Sequence, residues 1–301
     1  VDEVSLEIPK GSFFGLVGES GSGKTTLGRA ILRAAPITSG QILYRDDEVE
    51  YDLGNIAKEQ LKDYRRRAQL IFQDPYAALS PRMTVRDIIA EPLEVMGITN
   101  TRAETDDRVR EIASKCRLNL EHLRRFPHAF SGGQRQRISI ARALVCNPRF
   151  VVADESVAAL DVSIQADILN LLESLRGELM NTFFFISHDL SVVAHICDTV
   201  AVMYLGALVE SAPTRSLFSN PSHPYTKALL SAIPSLDPDV RGKVQKLEGE
   251  IPSPVSPPSG CKFHTRCSLA EERCRSEVPL WRELSEGHSV ACHFAEPETL
   301  S

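Results

Sequence analysis

A glycine-rich loop near the N-terminus constrains this 301-residue chain more than any other feature. The loop follows a strand-like apolar run at residues 12–17, precedes a helical pattern, and fits G-x-x-x-x-G-K-[ST] at every fixed position. Such glycines turn consecutive backbone N–H groups towards one concavity, where the N-terminus of the helix adds positive potential for phosphate. We expect nucleotide binding, with Lys24 on the β- and γ-phosphates and Thr25 on Mg²⁺. The residues predicted to bind are Gly18, Glu19, Ser20, Gly21, Ser22, Gly23, Lys24, Thr25 and Thr26.

Two later apolar runs also end in polar residues. Phe150–Ala153 leads into Asp154 and Glu155, and Thr182–Ser187 leads into His188, with apolar residues at helical spacing between the two runs. Strand, helix, strand with polar residues at the strand ends is typical of an α/β sheet that binds ligands at the carboxyl edge of its strands. We expect Asp154 to hold Mg²⁺ and Glu155 to act as general base on an attacking water.

A second glycine-containing motif opens another helical pattern. Ser131 and Gln134 satisfy the S-x-x-Q capping box, which explains both of these residues. The box does not explain Gly132 and Gly133 between them. Glycines leave N–H groups uncovered at the positive end of a helix, so the motif predicts a second phosphate contact.

Composition and charge exclude some classes of protein. The longest apolar run, Val200–Val209, has ten residues, whereas a membrane-spanning helix needs about 20. The chain has 34 Lys and Arg against 40 Asp and Glu, and the net charge of −6 disfavours nucleic acid as a partner. Nine of the eighteen prolines lie between Pro213 and Pro258, which predicts an extended, irregular connector.

These patterns divide the chain into segments. A hairpin is predicted to turn at Gly206, and the nucleotide site and the cysteine-containing tail are expected to have separate cores. The initiator methionine is missing, so we expect the natural N-terminus to lie upstream of Val1. The predicted segments are a discontinuous ATP-binding core at 1–83 and 148–215, a helical insertion at 84–147, the Pro-rich connector at 216–260 and the cysteine tail at 261–301.

In combination, these motifs resemble the ATP-binding subunits of ABC transporters over residues 1 to about 215. The resemblance implies an α/β P-loop NTPase (RecA-like) core with a helical ABC signature subdomain and a C-terminal cysteine-rich extension. It implies ATP and Mg²⁺ as cofactors, with Mg²⁺ held through Thr25, Gln73 and Asp154. It also implies catalytic roles for Glu155, His188 and Gln73, in which His188 hydrogen-bonds the γ-phosphate and Gln73 senses it.

The resemblance further implies a set of partners. Ser131, Gly132, Gly133 and Gln134 match the signature motif, which contacts the ATP of a second ABC ATPase subunit, either a copy or a paralogue. Asp161 matches the loop between the two ATPase domains. Two transmembrane permease subunits and, indirectly, an extracytoplasmic substrate-binding protein complete the expected transporter, at the cytoplasmic face of the cell (inner) membrane. The aromatic residue that stacks on adenine in this family would lie before Val1.

Beyond residue 215, the resemblance becomes specific to one branch of this family. The segments at 220–230, 249–254 and 257–261 look like the C-terminal extension of the oligopeptide and dipeptide uptake branch. Similar tails occur in nickel and glutathione importers, so these substrates remain alternatives. Specificity resides in partner proteins, so the sequence of this chain does not separate these substrates. The resemblance to the peptide-uptake branch implies an ATPase that powers uptake of di- or oligopeptides.

Four of the seven cysteines lie within 32 residues of the tail, at Cys261, Cys267, Cys274 and Cys292. Their spacing lacks the paired C-x₂₋₄-C knuckles of most zinc sites, and four loosely spaced thiolates can equally ligate an iron–sulfur cluster. The tails of this family resemble an iron–sulfur site. We therefore expect a 4Fe–4S cluster on these four residues, with Zn²⁺ as the alternative, and with the neighbouring histidines outside the first shell of ligands: His264, His288 and His293.

Two other classes of function compete with a transport ATPase. A soluble ABC-type ATPase acting on ribosomes or DNA usually has two cassettes or a long coiled-coil insertion, whereas only 105 residues separate Thr25 from Ser131 and the sequence contains one cassette. A redox enzyme built on the cysteines would need a flavin or nicotinamide fingerprint, and the sequence contains none.

Overall fold

The computed structural model describes residues 1–233, 247 and 249–296. Part of the proline-rich connector and the last residues of the tail lie outside the described residues. The chain divides into two units, and each is described by itself. The first unit comprises Val1–Ile8, Phe13–Leu27 and the described residues from Ser187 onwards, and the second comprises Pro9–Ser12 and Gly28–Ile186.

Strands and helices alternate along most of the described part of the chain. The strands are β1 (Phe13–Val17), β2 (Leu43–Arg45), β3 (Glu50–Asp52), β4 (Ala68–Ile71), β5 (Phe150–Asp154), β6 (Thr182–Ile186), β7 (Thr199–Tyr204), β8 (Ala207–Pro213), β9 (Arg282–Ser285) and β10 (His288–Val290). The α-helices are α1 (Lys24–Ile31), α2 (Lys58–Arg67), α3 (Pro75–Ala78), α4 (Val85–Met96), α5 (Arg102–Lys115), α6 (Gly132–Leu144), α7 (Val162–Leu179), α8 (Leu190–Ile196), α9 (Thr214–Ser219), α10 (Pro224–Ser231) and α11 (Glu272–Ser276). Among the described helices, none is long and apolar enough to cross a membrane.

The first unit is built on strands in the order β1-β7-β8-β10-β9. β1 runs parallel to β7, and the later pairs are antiparallel. All five residues of β1 are buried, as expected for a strand covered on both faces. The predicted hairpin is confirmed: β7 and β8 meet at Leu205 and Gly206, which both have positive φ.

The second unit contains the parallel strands β4, β5 and β6, in that order. β5 is apolar up to its terminal aspartate because it lies between two neighbouring strands and is buried throughout. α4, α5 and α6 fall where the helical insertion is predicted, and Thr84 and Thr101 cap the first two of them. The sequence patterns did not predict the β2–β3 hairpin, α2 or β4.

The predicted irregular connector is wrong for its first part. α9 and α10 occupy most of residues 214–231. Two local signals favour α10: Pro224 stands at its first position, and the His223 ring accepts the Tyr225 N–H at 3.0 Å. The proline content of this segment is therefore compatible with α10, because Pro224 lies at the N-terminus of the helix and not in its interior.

The expectation of a separate core for the cysteine tail holds only in part. The tail has a small apolar cluster of Val290, Cys292 and Ala295, but it belongs to the same unit as the glycine-rich loop. β10 pairs with β8, so the tail extends the sheet that begins at β1. Glu210 on β8 is fully buried and accepts hydrogen bonds from the His288 ring and from the backbone N–H groups of Ser222 and His223. Burial opposes ionisation of Glu210, but these hydrogen bonds outweigh it and lower its pKa. The charged carboxylate thereby joins β8 to both α10 and β10.

Aromatic packing adds a second attachment of the tail. The Phe263 ring is 2% exposed and lies 5.2 Å from the ring of Tyr204 and 5.3 Å from that of Tyr225, measured between centroids. Tyr204 and Tyr225 contact each other at 4.8 Å. Offset and edge-to-face contacts of this kind stabilise a core beyond the area that they bury.

We predict that Phe263→Ala lowers the free energy of unfolding by about 3–5 kcal/mol, because it leaves a cavity among aromatic rings. Urea denaturation of the full chain measures the effect. Leu269→Ala is the matched control, since Leu269 belongs to the same tail and is 53% exposed. Equal unfolding midpoints for the two variants would show that the tail does not pack on this core.

Candidate functional site

The glycine-rich loop joins β1 to α1 through three unusual backbone conformations. Gly18, Gly21 and Gly23 have φ of +151°, +80° and +105°, values that favour glycine. A Cβ at Gly18 would lie 2.1 Å from the carbonyl oxygen of Met203, so no larger residue fits. The loop is therefore held against the end of β7, with Ser20 and Gly21 exposed.

Lys24 begins α1 and its side chain folds back over the loop. Its Nζ donates to the carbonyl oxygens of Gly18 at 2.7 Å and Glu19 at 3.0 Å, and the residue is 5% exposed. Thr25 and Thr26 follow in the first turn of the helix. The buried Oγ of Ser22 has no hydrogen-bond partner among the described residues. A cation, a helix N-terminus and an unsatisfied hydroxyl fit an anionic ligand.

His188 lies in the first unit, beside the strand that leads to the loop. The N–H of Ser187 donates to the carbonyl oxygen of Leu16 at 3.1 Å, two residues before Gly18. Asp189 caps α8 by accepting the N–H of Ser191. The exposed His188 is thus fixed between a backbone pairing and a helix cap.

The acidic pair lies at the end of β5 in the second unit. Asp154 is 7% exposed, and Glu155 follows it with φ of +46°, a conformation that is costly for a non-glycine residue and typical of functional sites. The Nε2 of Gln73 donates to a Glu155 carboxylate oxygen at 2.7 Å. The structure therefore brings together two of the three residues expected to be catalytic.

The signature segment opens α6 with the predicted capping box. Ser131 Oγ accepts the N–H of Gln134 at 3.4 Å, and Gln134 Oε1 accepts the N–H of Ser131 at 3.1 Å. The two glycines differ from each other. Gly133 is buried, and a Cβ there would lie 2.5 Å from Cγ2 of Ile164 on α7, whereas Gly132 is open. Helix packing therefore requires Gly133, a reason that the sequence analysis did not give.

Asp161 has a local structural role in the second unit. It is exposed, and its carboxylate accepts the N–H of Ile164 at 3.0 Å as the N-cap of α7. A helix cap and a contact to another subunit are compatible, because one carboxylate oxygen can serve each.

The four tail cysteines lie in the first unit as free thiols. Burial is the main cause that raises the pKa of Cys261 to about 11, and the neighbouring thiols of Cys274, Cys267 and Cys292 contribute to the same rise. Backbone N–H groups of Phe263 and Leu269 act in the opposite direction on Cys261 and Cys267 respectively. Within the described residues, no group of three or more His, Cys, Asp or Glu side chains is placed to hold a metal ion.

Each of the three tail histidines has another hydrogen-bond partner. The rings of His264, His288 and His293 contact the carbonyl oxygen of Cys261, the carboxylate of Glu210 and the carbonyl oxygen of Glu277, at 2.8, 2.8 and 3.1 Å. One ring nitrogen of each histidine is engaged in this way, and the expectation that these residues do not bind the metal stays a prediction.

Two residues that contact the loop were missed by sequence reasoning. Arg266 forms a two-pronged ion pair with Glu19, and the Tyr225 hydroxyl accepts the N–H of Glu19 at 2.8 Å. The contacts span 247 and 206 residues, and no local pattern in the sequence signals them.

Family models match both parts of the chain. The ABC transporter model matches residues 1–158, and the model of the oligopeptide/dipeptide transporter C-terminal region matches residues 209–274. Oligopeptide transport ATP-binding protein AppF of Bacillus subtilis is 48% identical over 299 residues, 98% of this chain and 89% of that protein. A Brucella ovis protein named as a putative peptide import ATP-binding protein is 52% identical over 292 residues, 97% of this chain and 90% of that protein.

Solved structures agree with this relationship. The dimeric ATP-binding cassette MJ0796 bound to ADP and Pi is 28% identical with a TM-score of 0.61, covering 70% of this chain and 88% of that one. The protein cbiO1 from Clostridium perfringens, part of the ABC transporter complex cbiONQ, is 25% identical with a TM-score of 0.64. The match covers 72% of this chain and 83% of that one.

The chain therefore belongs to the ATP-binding subunits of ABC transporters, and it has the α/β P-loop ATPase fold of that family. It is an ATPase, for which ATP and Mg²⁺ are the expected ligands. The C-terminal match also favours the oligopeptide/dipeptide branch over a soluble ATPase or a redox enzyme.

We predict that Gly133→Ala lowers the free energy of unfolding by about 1–3 kcal/mol, the usual cost of overpacking. Gly132→Ala is the matched control, since its Cβ would lie 3.9 Å from Leu160. Thermal melting of the full-length variants measures the difference, and adding Ile164→Ala to Gly133→Ala should recover part of the loss. Equal melting temperatures for Gly132→Ala and Gly133→Ala would contradict the packing role.

Proposed function

We propose that this chain is the ATP-hydrolysing motor subunit of an importer that takes up dipeptides or oligopeptides across the cytoplasmic membrane. The observation that carries the proposal is the presence in one chain of an ABC ATPase and an oligopeptide/dipeptide C-terminal region. Relatives named for peptide import or oligopeptide transport align over 97–98% of the chain. Nickel or glutathione would use the same motor, but the names of these relatives favour peptides.

In the proposed mechanism, residues 18–26 bind the phosphates of ATP. Backbone N–H groups of the loop and the Lys24 ammonium face the negative charge, which grows on the transferred phosphoryl group during hydrolysis. The oxygen ligands that Mg²⁺ prefers are available as the Thr25 hydroxyl, the Gln73 amide oxygen and the Asp154 carboxylate. When bound, Mg²⁺ would neutralise charge on the β- and γ-phosphate oxygens.

Glu155 is proposed as the general base. The Nε2 of Gln73 holds the Glu155 carboxylate through a hydrogen bond, and this carboxylate would orient the attacking water and accept its proton. His188 would donate a hydrogen bond to the γ-phosphate. Because Gln73 contacts Glu155 directly, the same glutamine can report occupancy of the site to the residues that follow it.

A second ATPase subunit completes each site in the proposal. Ser131, Gly132 and Gln134 are accessible at the positive end of α6 and would contact ATP bound by the partner. Asp161, exposed at the start of α7, would lie in the same interface. The relative MJ0796 is described as a dimer in its ADP- and Pi-bound structure. ATP held between two subunits would stabilise a closed pair, and hydrolysis would release it.

Permease subunits are proposed to dock on the second unit. A cavity of about 290 Å³ is lined by residues of β4, α4 and α6, and Phe72 and Val95 expose apolar side chains at it. Phe72 directly precedes Gln73, so a cytoplasmic permease helix in this cavity would lie next to the residue that contacts Glu155. The assembly would hold the chain at the cytoplasmic face of the membrane as a peripheral subunit, with an extracytoplasmic substrate-binding protein delivering the peptide.

We predict that Glu155→Gln lowers steady-state ATP hydrolysis by about 10²-fold or more while ATP still binds, because an amide cannot accept the proton. Lys24→Ala should instead weaken ATP binding itself, since it removes a charge-assisted phosphate contact. Hydrolysis and nucleotide affinity are measured on the purified transporter complex. Glu173→Gln, which changes an exposed glutamate on α7, is the control.

Near-normal hydrolysis by Glu155→Gln would exclude this residue as the general base. Undiminished ATP affinity of Lys24→Ala would contradict the role of the loop in binding ATP, and this conclusion does not depend on the result for Glu155→Gln.

For the tail, we infer that Cys261, Cys267, Cys274 and Cys292 hold a 4Fe–4S cluster. Four sulfurs around one Zn²⁺ at 2.3 Å would lie only about 3.8 Å apart. In a cubane each thiolate binds a different iron, so its sulfurs stand further apart. The thiols of Cys274, Cys267 and Cys292 lie near enough to Cys261 to act on its pKa, which supports a ligand shared by the four residues. The cluster would act as a structural staple for a short segment.

We predict that anaerobically purified protein is brown and contains iron and sulfide at about four each per chain. Cys261→Ser should lose both, whereas Cys116→Ser, which changes a buried cysteine of α5's C-terminal end, should keep them. Colourless protein with about one zinc per chain would contradict the cluster and show that the four cysteines bind zinc. Protein with neither metal would exclude a metal staple.

A further inference from the structure

The second residue of the phosphate-binding loop is acidic. Glu19 follows Gly18, and its carboxylate is 23% exposed. A loop that binds the phosphates of ATP gains affinity from positive charge, so a carboxylate at this position opposes binding unless its charge is compensated.

The C-terminal extension supplies that compensation. The two terminal nitrogens of Arg266 donate to the two carboxylate oxygens of Glu19, at 2.6 and 3.0 Å. The Arg266 side chain is 6% exposed and its guanidinium lies 5.9 Å from the ring centre of Tyr204. A partly buried, two-pronged ion pair of this geometry is specific, and salt screens it less than a fully exposed pair.

The same loop residue is fixed through its backbone. The N–H of Glu19 donates to the hydroxyl of Tyr225, which is fully buried on α10. Nearby, Lys262 donates to the carbonyl oxygen of Leu205 at 3.3 Å and to the carboxylate of Asp2 at 3.1 Å. The C-terminal extension therefore contacts the loop through Tyr225 and Arg266, and it contacts the neighbouring hairpin through Lys262.

We propose that Arg266 is a positioning residue of the ATP site: it neutralises Glu19 and aims its carboxylate away from the phosphates, so that the C-terminal extension sets the affinity of the loop for ATP. This inference rests on the proposed role of residues 18–26 in binding ATP. Arg266 directly precedes Cys267, so any group that orders the cysteines also orders this ion pair.

The test is a set of ATP titrations on the full chain. Arg266→Met keeps the length of the side chain but removes its charge, and we expect it to raise the Kd for MgATP about tenfold, because the Glu19 charge is then unpaired. The Kd for MgADP, which carries less charge, should rise less. Arg273→Met is the control, since Arg273 pairs with Glu277 on the surface of the same extension.

Charge compensation has a signature that a purely structural role lacks. Glu19→Gln added to Arg266→Met should restore the Kd for ATP to within about threefold of the original, because the unpaired charge is gone. Glu19→Gln alone should tighten ATP binding, because the Arg266 charge is then unpaired beside the loop, and it keeps the proposal testable if Arg266→Met does not fold.

Three results would overturn the inference: an unchanged Kd in Arg266→Met, a weakened Kd that Glu19→Gln does not restore, or weaker ATP binding by Glu19→Gln alone. Lys24→Ala separates this inference from the proposed function. If Lys24→Ala loses ATP affinity and Arg266→Met does not, only the role of the extension fails. If Lys24→Ala binds ATP normally, the role of the loop fails as well.

Discussion

The close approach of Gly18 to the carbonyl oxygen of Met203 is the constraint on which the rest of the first unit depends. With 2.1 Å between that oxygen and a Cβ at position 18, only glycine lets the chain leave β1 beside β7 and turn into α1. The hairpin then bonds the loop a second time, where the N–H of Gly206 donates to the carbonyl oxygen of Ser22 at 2.8 Å. The position of Lys24 follows from this bend.

The parts of the molecule that the sequence predicted are those governed by local rules. The loop, the buried strands β1, β5 and β6, the hairpin turn at Gly206 and the capping box at Ser131 each depend on residues within a few positions of one another. Strand periodicity, glycine conformations and helix caps act over such distances. The candidate residues of the loop and the acidic pair were therefore named in advance from local patterns, whereas Gln73 was named through the family resemblance. The roles given to all of them remain predictions.

The parts that the sequence did not predict depend on contacts between distant segments. Nothing near Gly133 reveals that Ile164 will pack against it, and nothing near Glu210 reveals that His288 will bond to it in a buried site. The tail extends the first sheet through the β8–β10 pairing, although proline content and cysteine spacing indicated a separate segment. The composition of the tail therefore did not predict its place in the sheet, which depends on strand pairing and buried contacts with distant residues.

Transport by the assembled complex tests the central claim most directly. The chain, its ATPase partner and the two permeases are reconstituted into liposomes, and uptake of labelled di- and oligopeptides is measured with the substrate-binding protein present. We expect peptide accumulation that requires ATP and stops when the nucleotide is replaced by a non-hydrolysable analogue. Robust ATP hydrolysis without uptake of any peptide, together with uptake of nickel or glutathione, would contradict the assignment of this chain to peptide import.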